Sequence, residues 1–484
     1  MKKLRLLALF AAVMLCLQSC GIIIINDIHG NDAEITSEDG TDRETESQEV
    51  KEIIIDKQTS DEMKVKADEV LAGVDTADYT GMRLLIATTD TTFYEGKMYD
   101  DGDTRLTLTS DRIIRSDKIS GKLGANISIA TYSEDDLYTK LSAAVKNKEY
   151  FADVLAVPQR LVGKLAGDGL IKSLRTVPGL DLKADYFNTD ALSAFSAGHK
   201  AYAISGEGCF EPEKLYCVYF NKEMAAELGL DMYSLVSNGE WTLKKYAECI
   251  SAASAAGAGT VVTKSPEKYK RMLLIGSGFD FVESGIDKVP AANTFSSEFE
   301  ITSKLIASIP AVMLSSNPSE DFLNGKSLFF IDTVFAAEEM YDSDLVWGML
   351  PLPKYNENYE YGTYAEETAI VLCVPEYASD DRMSGDFIEA FNAVSTGYLE
   401  YDYLYHSMLD VLRDNGSVNS LNIILKNPNY DFVSAMKSGY PTLYANTAGA
   451  FDDIMGGRLT FEEYKGKETE VAEYMEKWFP VTNK

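Results

Sequence analysis

Histidine, the residue on which many catalytic and metal sites depend, is scarce in this chain. Its 484 residues include three, His29, His199 and His406, and none has a partner at zinc-type spacing. A metal site is therefore not expected, and nothing calls for a cofactor. A Ser/His/Asp site would have to use His199 or His406, and neither lies in a motif. GxSxG, Walker A and HExxH runs are absent, and the fragments GSGFD and GEGCF are too short to signal nucleotide binding. Positive charge is also in deficit. Lys and Arg number 45 against 76 Asp and Glu, a net charge of −31, which disfavours nucleic acid as a partner. Cysteines beyond residue 20 are few and scattered: Cys209, Cys217, Cys249 and Cys373, with no CxxC spacing. Cys209 and Cys217 are near enough to bridge, but Cys217 sits in an apolar run and reads better as a buried thiol. The apolar run at residues 6–17 is too short to cross a hydrocarbon core of roughly 30 Å as a helix.

That run follows Lys2, Lys3 and Arg5 and ends in small residues, the pattern of a secretory signal. Leu17-Gln18-Ser19-Cys20 resembles the lipobox of bacterial lipoproteins, in which the chain is cut before a cysteine whose sulfur carries lipid. Cys16 does not suit that motif, because bulky Leu15 precedes it. The expectation is a signal peptide over residues 1–19 and a lipidated Cys20. Several acyl chains there would hold the protein stably on the extracytoplasmic face of the cell membrane. Residues 20–78 read as a disordered tether. The segment NDAEITSEDGTDRETESQEV is acidic, has no aromatic residue and cannot bury enough apolar surface to offset its chain entropy.

The whole chain is 45% hydrophobic and long enough for two or three domains. RLLIATTD (83–90), ANISIATYS (125–133) and ADVLAVP (152–158) read as strands. They alternate with helical segments at 104–124, 134–150 and 159–174, which implies an α/β fold with a mostly parallel sheet. Ligands in such sheets bind outside the carboxyl ends of the strands. Residues 88–90 and 158–160 then share one rim. KLYCVYFN, KSLFFID, VWGMLPLP and TAIVLCVP supply later strands.

Several of these segments, in order, resemble the extracellular solute-binding proteins of ABC importers, in the branch of maltose-binding protein and other carbohydrate receptors. The similarity lies in FADVLAVPQRLVGKLAGDGLIKSL, in GHKAYAISGEG followed by LYCVYFNKEMAAELGLD, and in GEWTLKKYAECI, FLNGKSLFFID and WGMLPLPKY. It spans residue 83 to beyond 375. Each match alone is weak; their order behind a lipobox is specific. The tryptophan pair of maltose receptors is missing from FFIDTVF, and Val157-Pro158 stands where an aromatic is frequent. The resemblance implies a type II periplasmic-binding-protein fold: lobe one at 79–195 and 336–394, lobe two at 196–335 and 395–484, with a hinge and a ligand cleft between them. It further implies a monomer with no catalytic residue, whose partners are a small solute (a sugar or oligosaccharide), the permease subunits and, through its lipid, the membrane.

A sugar site needs a flat apolar face and planar polar groups. Thr89, Asp90 and Tyr94 follow the first strand, with Asp90 accepting hydroxyls and Tyr94 stacking, or else they form a helix cap and a surface aromatic. Gln159 and Arg160 follow the third strand, with Arg160 as a planar donor or as half of an ion pair. Glu207, in SGEG, sits where the family commonly places a cleft carboxylate. Asp332 and Phe335 fall at the second crossing. Tyr364, Glu366 and Glu367 precede another strand, with one acid facing the ligand or both exposed. Trp241, Trp347 and Trp478 read as packing residues. Two other classes stay open. A secreted glycoside hydrolase needs a spaced carboxylate pair, and Asp100-Asp101 and Glu366-Glu367 are neighbours that would point apart on a strand. A surface adhesin or chaperone lipoprotein needs none of the ordered motifs.

Overall fold

The computed structural model describes residues 57–90, 92–95, 106–310, 312–426 and 428–481. The expected signal peptide, Cys20 and most of the expected tether lie outside the described residues. The chain divides into two units, residues 1–66 and 67–484, and among the described residues every sheet lies in the second. Part of the presumed tether is ordered, since Lys57–Gly73 forms a helix, α1. Its sequence is rich in good helix formers, and Ala67 and Leu71 at its far end are buried. Among the described residues, no helix is long and apolar enough to cross a membrane.

The first sheet is built from short aliphatic segments separated by helices. β1 (Arg83–Thr88) leads through α2 (Leu106–Leu123) to β2 (Asn126–Thr131). α3 (Glu134–Asn147) then leads to β3 (Val154–Pro158). Ser133 caps α3 by accepting from Asp136 N, and acids crowd its first turn, as the helix dipole favours. β1 pairs in parallel with both β2 and β3. All five residues of β3 are buried, as expected for a strand covered on both faces.

The chain then crosses to a second sheet made of β4 (Tyr216–Asn221), β5 (Val261–Thr263), β6 (Met313–Leu314), β7 (Phe329–Thr333) and β8 (Trp347–Leu350). α4 (Leu243–Ala255) precedes β5 and α5 (Pro266–Gly276) follows it. The sheet order is β6-β5-β7-β4-β8, with β4 antiparallel to both neighbours. Residues 347–350 were expected in the first lobe, but β8 pairs Trp347 with Asn221 and Leu350 with Val218 in the second sheet. The return to the first sheet comes later, through β9 (Ile370–Cys373), which lies antiparallel to β3 and completes the order β9-β3-β1-β2. Outgoing and returning segments touch, with β-bridges between Ile204 and Leu372 and between Leu215 and Ala365.

Three interior features explain residues that the sequence left ambiguous. Cys209 and Cys217 are separate, buried thiols. Trp241 is fully buried, donating to Pro351 O at 2.9 Å, and Trp347 packs edge-on against Tyr219; Trp478 is half exposed. Arg115 is buried without a carboxylate. Its guanidinium donates to the carbonyls of Gly208 (2.8 Å), Phe93 (2.7 Å) and Tyr94 (3.0 Å) and lies 4.3 Å from the centre of the Phe391 ring. Burial pulls its pKa down to about 10.

Helix α6 (Asp381–Ala393) lies against this first core and is buried almost throughout. It carries Glu389, 3% exposed, which accepts from Tyr186 Oη and Asp181 N. Burial pushes the Glu389 carboxyl up to about 7. A carboxyl raised in the folded state contributes stability below its unfolded pKa near 4.5 and loses it as pH rises through 7. Unfolding free energy should fall over that window, with about 3 kcal/mol arising from this group. Urea titrations at stepped pH should show a flatter profile for Glu389→Gln; equal slopes in the two proteins would assign the loss elsewhere.

Candidate functional site

Two adjoining hollows of about 330 Å³ each open where the strands of the first sheet end. Thr89 and Asp90 follow β1, Tyr132, Ser133 and Glu134 follow β2, and Pro158 and Arg160 end β3; all line the first hollow. The second is walled by Ser265, Lys268 and Arg271 at the start of α5, just after β5, and by Glu366, Glu367 and Lys437. Arg160 and Thr368 line both, so the two form one groove from the carboxyl ends of the first sheet to the amino end of α5. That is where the strand-end rule places a ligand.

A buried ion pair adjoins the groove: Lys214 lines the first hollow, and its partner Glu211 lines a neighbouring one. Glu211, on the outgoing segment, is 5% exposed. Its Oε2 accepts from Ile370 N on the returning segment at 2.6 Å, and its Oε1 lies 2.7 Å from Lys214 Nζ. Lys214 also donates to Thr368 O at 3.2 Å and lies 3.7 Å from Asp90 Oδ2 on the rim. Burial pushes the Glu211 carboxyl up, and Lys214 offsets part of that. Burial works against the Lys214 charge too, but Glu211 holds its pKa above the ordinary value.

The second hollow has an aromatic base. Tyr216 opens β4 and stacks on Tyr364 with centroids 5.8 Å apart and planes 15° apart. Lys268 Nζ donates to Tyr216 Oη at 2.5 Å and lies 3.5 Å from Glu366 Oε1, while Tyr216 Oη is 3.2 Å from that same oxygen. Thr368 Oγ1 holds the other Glu366 oxygen at 3.0 Å. Burial, with Glu366 and Asp332 nearby, pushes the Tyr216 phenol up, so it remains a neutral donor.

The residues singled out in the sequence fare differently. Thr89, Asp90, Arg160, Tyr364, Glu366 and Glu367 all line the groove. Asp90 is also a local cap, its Oδ1 accepting from Thr92 N (2.9 Å) and Thr92 Oγ1 (2.6 Å). Burial opposes its ionisation, but the Thr92 bonds and Lys214 outweigh it and hold the pKa below the ordinary value. Arg160 is engaged by Glu134. Tyr94 is corrected from stacking surface to core: it is 4% exposed and lies parallel to Phe391, 9° between rings. Gln159 is likewise interior, its Nε2 donating to Ala365 O (3.1 Å) and Glu366 O (2.8 Å), so it fixes the returning segment. Tyr364, at 5% exposure, lines the second hollow and stacks on Tyr216, which is not among its walls. Asp332 and Phe335 are half-buried and absent from the walls of both hollows. Asp332 accepts from Thr333 N at 2.8 Å, and burial raises its pKa.

Glu207 falls elsewhere, in a separate hollow of about 360 Å³ with Asn188, Glu400 and Lys426. Burial, with Glu207 alongside, pushes Glu400 up to about 7. A larger hollow of about 440 Å³ includes Asp190, Asp280 and Glu360, but none of its walls ends a strand of either main sheet. Lys214, Lys268, Arg271 and Tyr132 were not foreseen. The available signal for Lys268 was SPEK after the strand-like VVT, a capped helix start at a strand's end.

No protein-family model and no curated relative matches this chain. Solved structures do. The cyclic alpha-maltosyl-1,6-maltose binding protein from Arthrobacter globiformis aligns at TM-score 0.53 and 16% identity, over 82% of this chain and 99% of that one. The sugar-binding protein MalE from Xanthomonas citri gives TM-score 0.53 at 12% identity, over 82% and 98%. The galacto-N-biose-/lacto-N-biose I-binding protein of the ABC transporter from Bifidobacterium longum gives 0.50 at 12% identity, over 84% and 100%. The fold is therefore the mixed α/β, type II periplasmic-binding-protein fold.

Removing one member of a buried pair leaves the other charge uncompensated, while replacing both with apolar groups is far less costly. Glu211→Gln should lower unfolding free energy by about 3 kcal/mol, and Glu211→Leu with Lys214→Met should recover most of the loss. Urea unfolding of the three variants checks this. A double variant as unstable as the single would mean that the bond to Ile370 N dominates instead.

Proposed function

We propose that this chain is the substrate-binding lipoprotein of an ABC importer. It captures an extracellular solute, a sugar or oligosaccharide, in the groove and delivers it to the permease subunits as a monomer tethered through Cys20. The observation that carries the reading is the groove itself. It lies at the carboxyl ends of the first sheet, beside the paired crossing segments, on a fold shared with proteins described as sugar-binding. Glu366, Glu367 and Asp90 supply hydroxyl acceptors, and Arg160, Lys214 and Lys268 supply donors. Tyr132, half-buried at the rim, offers the aromatic edge that Tyr94 does not. The crossing segments act as the hinge about which the two lobes close on solute. No reaction is assigned. The role is capture and release.

Differential scanning fluorimetry against a saccharide panel tests the receptor. A ligand at a hundred times its Kd adds about 2.7 kcal/mol to the folded state, a clear rise in Tm. The sugar should be recovered unchanged by chromatography. Turnover of the sugar would make the chain an enzyme, and a response to peptides or polyamines alone would overturn the sugar class while leaving the receptor.

Anchoring has its own test. Radiolabelled fatty acid should be incorporated by the full chain and by Cys16→Ala, and lost in Cys20→Ala. The opposite pattern would move the lipid to Cys16.

A further inference from the structure

The second hollow has more cations than carboxylates on its walls in a chain whose overall balance is acidic. Arg160, Lys268, Arg271 and Lys437 face it, against the carboxylates Glu366 and Glu367, although the protein as a whole carries −31. Not all of these cations are equally available. Arg160 is held by Glu134, and Arg271 is drawn back by Asp452 (3.2 Å) and Tyr444 Oη (2.9 Å). The two lysines are different. Lys437 is exposed, its ammonium 4.1 Å over the Tyr444 ring, and no carboxylate pairs with it among the described residues. Lys268 meets a carboxylate only at 3.5 Å, its short bond being to the neutral Tyr216 hydroxyl. Lys268 stands in the first turn of α5, eleven residues long and capped by Ser265, whose dipole adds partial positive charge, and Lys437 lines the same hollow.

A neutral sugar can use these ammonium groups only as donors to its hydroxyls, without charge compensation. A saccharide bearing a carboxylate uses both sets. Its hydroxyls bond to Glu366 and Glu367, and its carboxylate replaces the water around Lys268 and Lys437 with charge-assisted hydrogen bonds. We infer that the groove takes an acidic saccharide, a uronate-containing sugar whose carboxylate lies between Lys268 and Lys437. This rests on the receptor reading above and adds the substrate class to it.

Isothermal titration of the full chain with α-1,4-digalacturonate and cellobiouronate, against neutral α-1,4-galactobiose and cellobiose, tests the inference. At least one acidic probe should bind about tenfold or more tighter than its neutral partner, and added salt should weaken it. Lys268→Gln and Lys437→Gln should each weaken the acidic probe several-fold and leave ligand-free unfolding midpoints unchanged, since neither side chain is in the core. Neutral probes that bind tighter and ignore salt would overturn the acidic class and leave the receptor intact. An acidic preference that survives the double lysine variant would overturn the assignment to these residues. Galactose 1-phosphate matching digalacturonate would replace carboxylate recognition with general anion binding. Silence from all five probes would overturn the acidic class, while the fluorimetry panel decides the receptor separately.

Discussion

The buried pair of Glu211 and Lys214 is the interaction on which the two-sheet arrangement turns. The chain passes between the sheets along two segments that touch at Ile204–Leu372 and Leu215–Ala365. Glu211 sits between them and satisfies Ile370 N, the first amide of the returning strand, which otherwise would be buried without a partner. Lys214 neutralises that carboxylate and reaches on to Thr368 O and toward Asp90. One charged pair thus closes the crossing and, through Lys214, lines the first hollow and approaches its rim. A buried ion pair is not a cheap source of stability. Its value here is positional, because a hydrophobic pair could fill the same volume but could not bind an amide on one side and approach a rim carboxylate on the other.

A second theme is how an acidic protein handles its cations. Several groove cations are held by carboxylates or aromatic rings of their own: Arg160 by Glu134, Arg271 by Asp452 and Tyr444, Lys214 by Glu211. Arg115, by contrast, is spent in the first core on backbone carbonyls and the Phe391 ring. Its role is to join the outgoing loop at Gly208 to the turn after β1, so the first wall of the groove is set by an interior cation far from solvent. Charge in this molecule is placed rather than spread.

How much of this was legible beforehand follows from the physics of each signal. The strands β1, β3, β7 and β9 and the rim at 88–90 and 158–160 were readable because short aliphatic runs alternate with helix-length segments. The destination of β8 was not, because WGML is apolar whichever sheet receives it, and pairing partners leave no trace in a strand's own composition. Tyr94 and Gln159 stand at the right sequence distance from strand ends, yet both turn inward. Tyr94 lies in a short helix (Thr92–Glu95) and packs on Phe387 and Phe391, while Gln159 serves distant carbonyls at 365 and 366. Proximity to a strand end is local information; which way a side chain turns depends on residues some 200 to 300 positions away. The same limit hid Glu211, which reads in EPEK as an ordinary surface acid. Part of the presumed tether proved helical for a simpler reason: low aromatic content argues against a core, but not against a helix that packs a few small residues.

The paired crossing segments have a mechanical meaning. Two segments joined at two separate bridges make a linked strip, and a strip is compliant across its face and stiff within its plane. Whatever displacement the sheets undergo, such a strip admits bending about one line and resists sliding of one sheet past the other. The residues on the two sides of the groove are thus brought into register by the chain's connectivity.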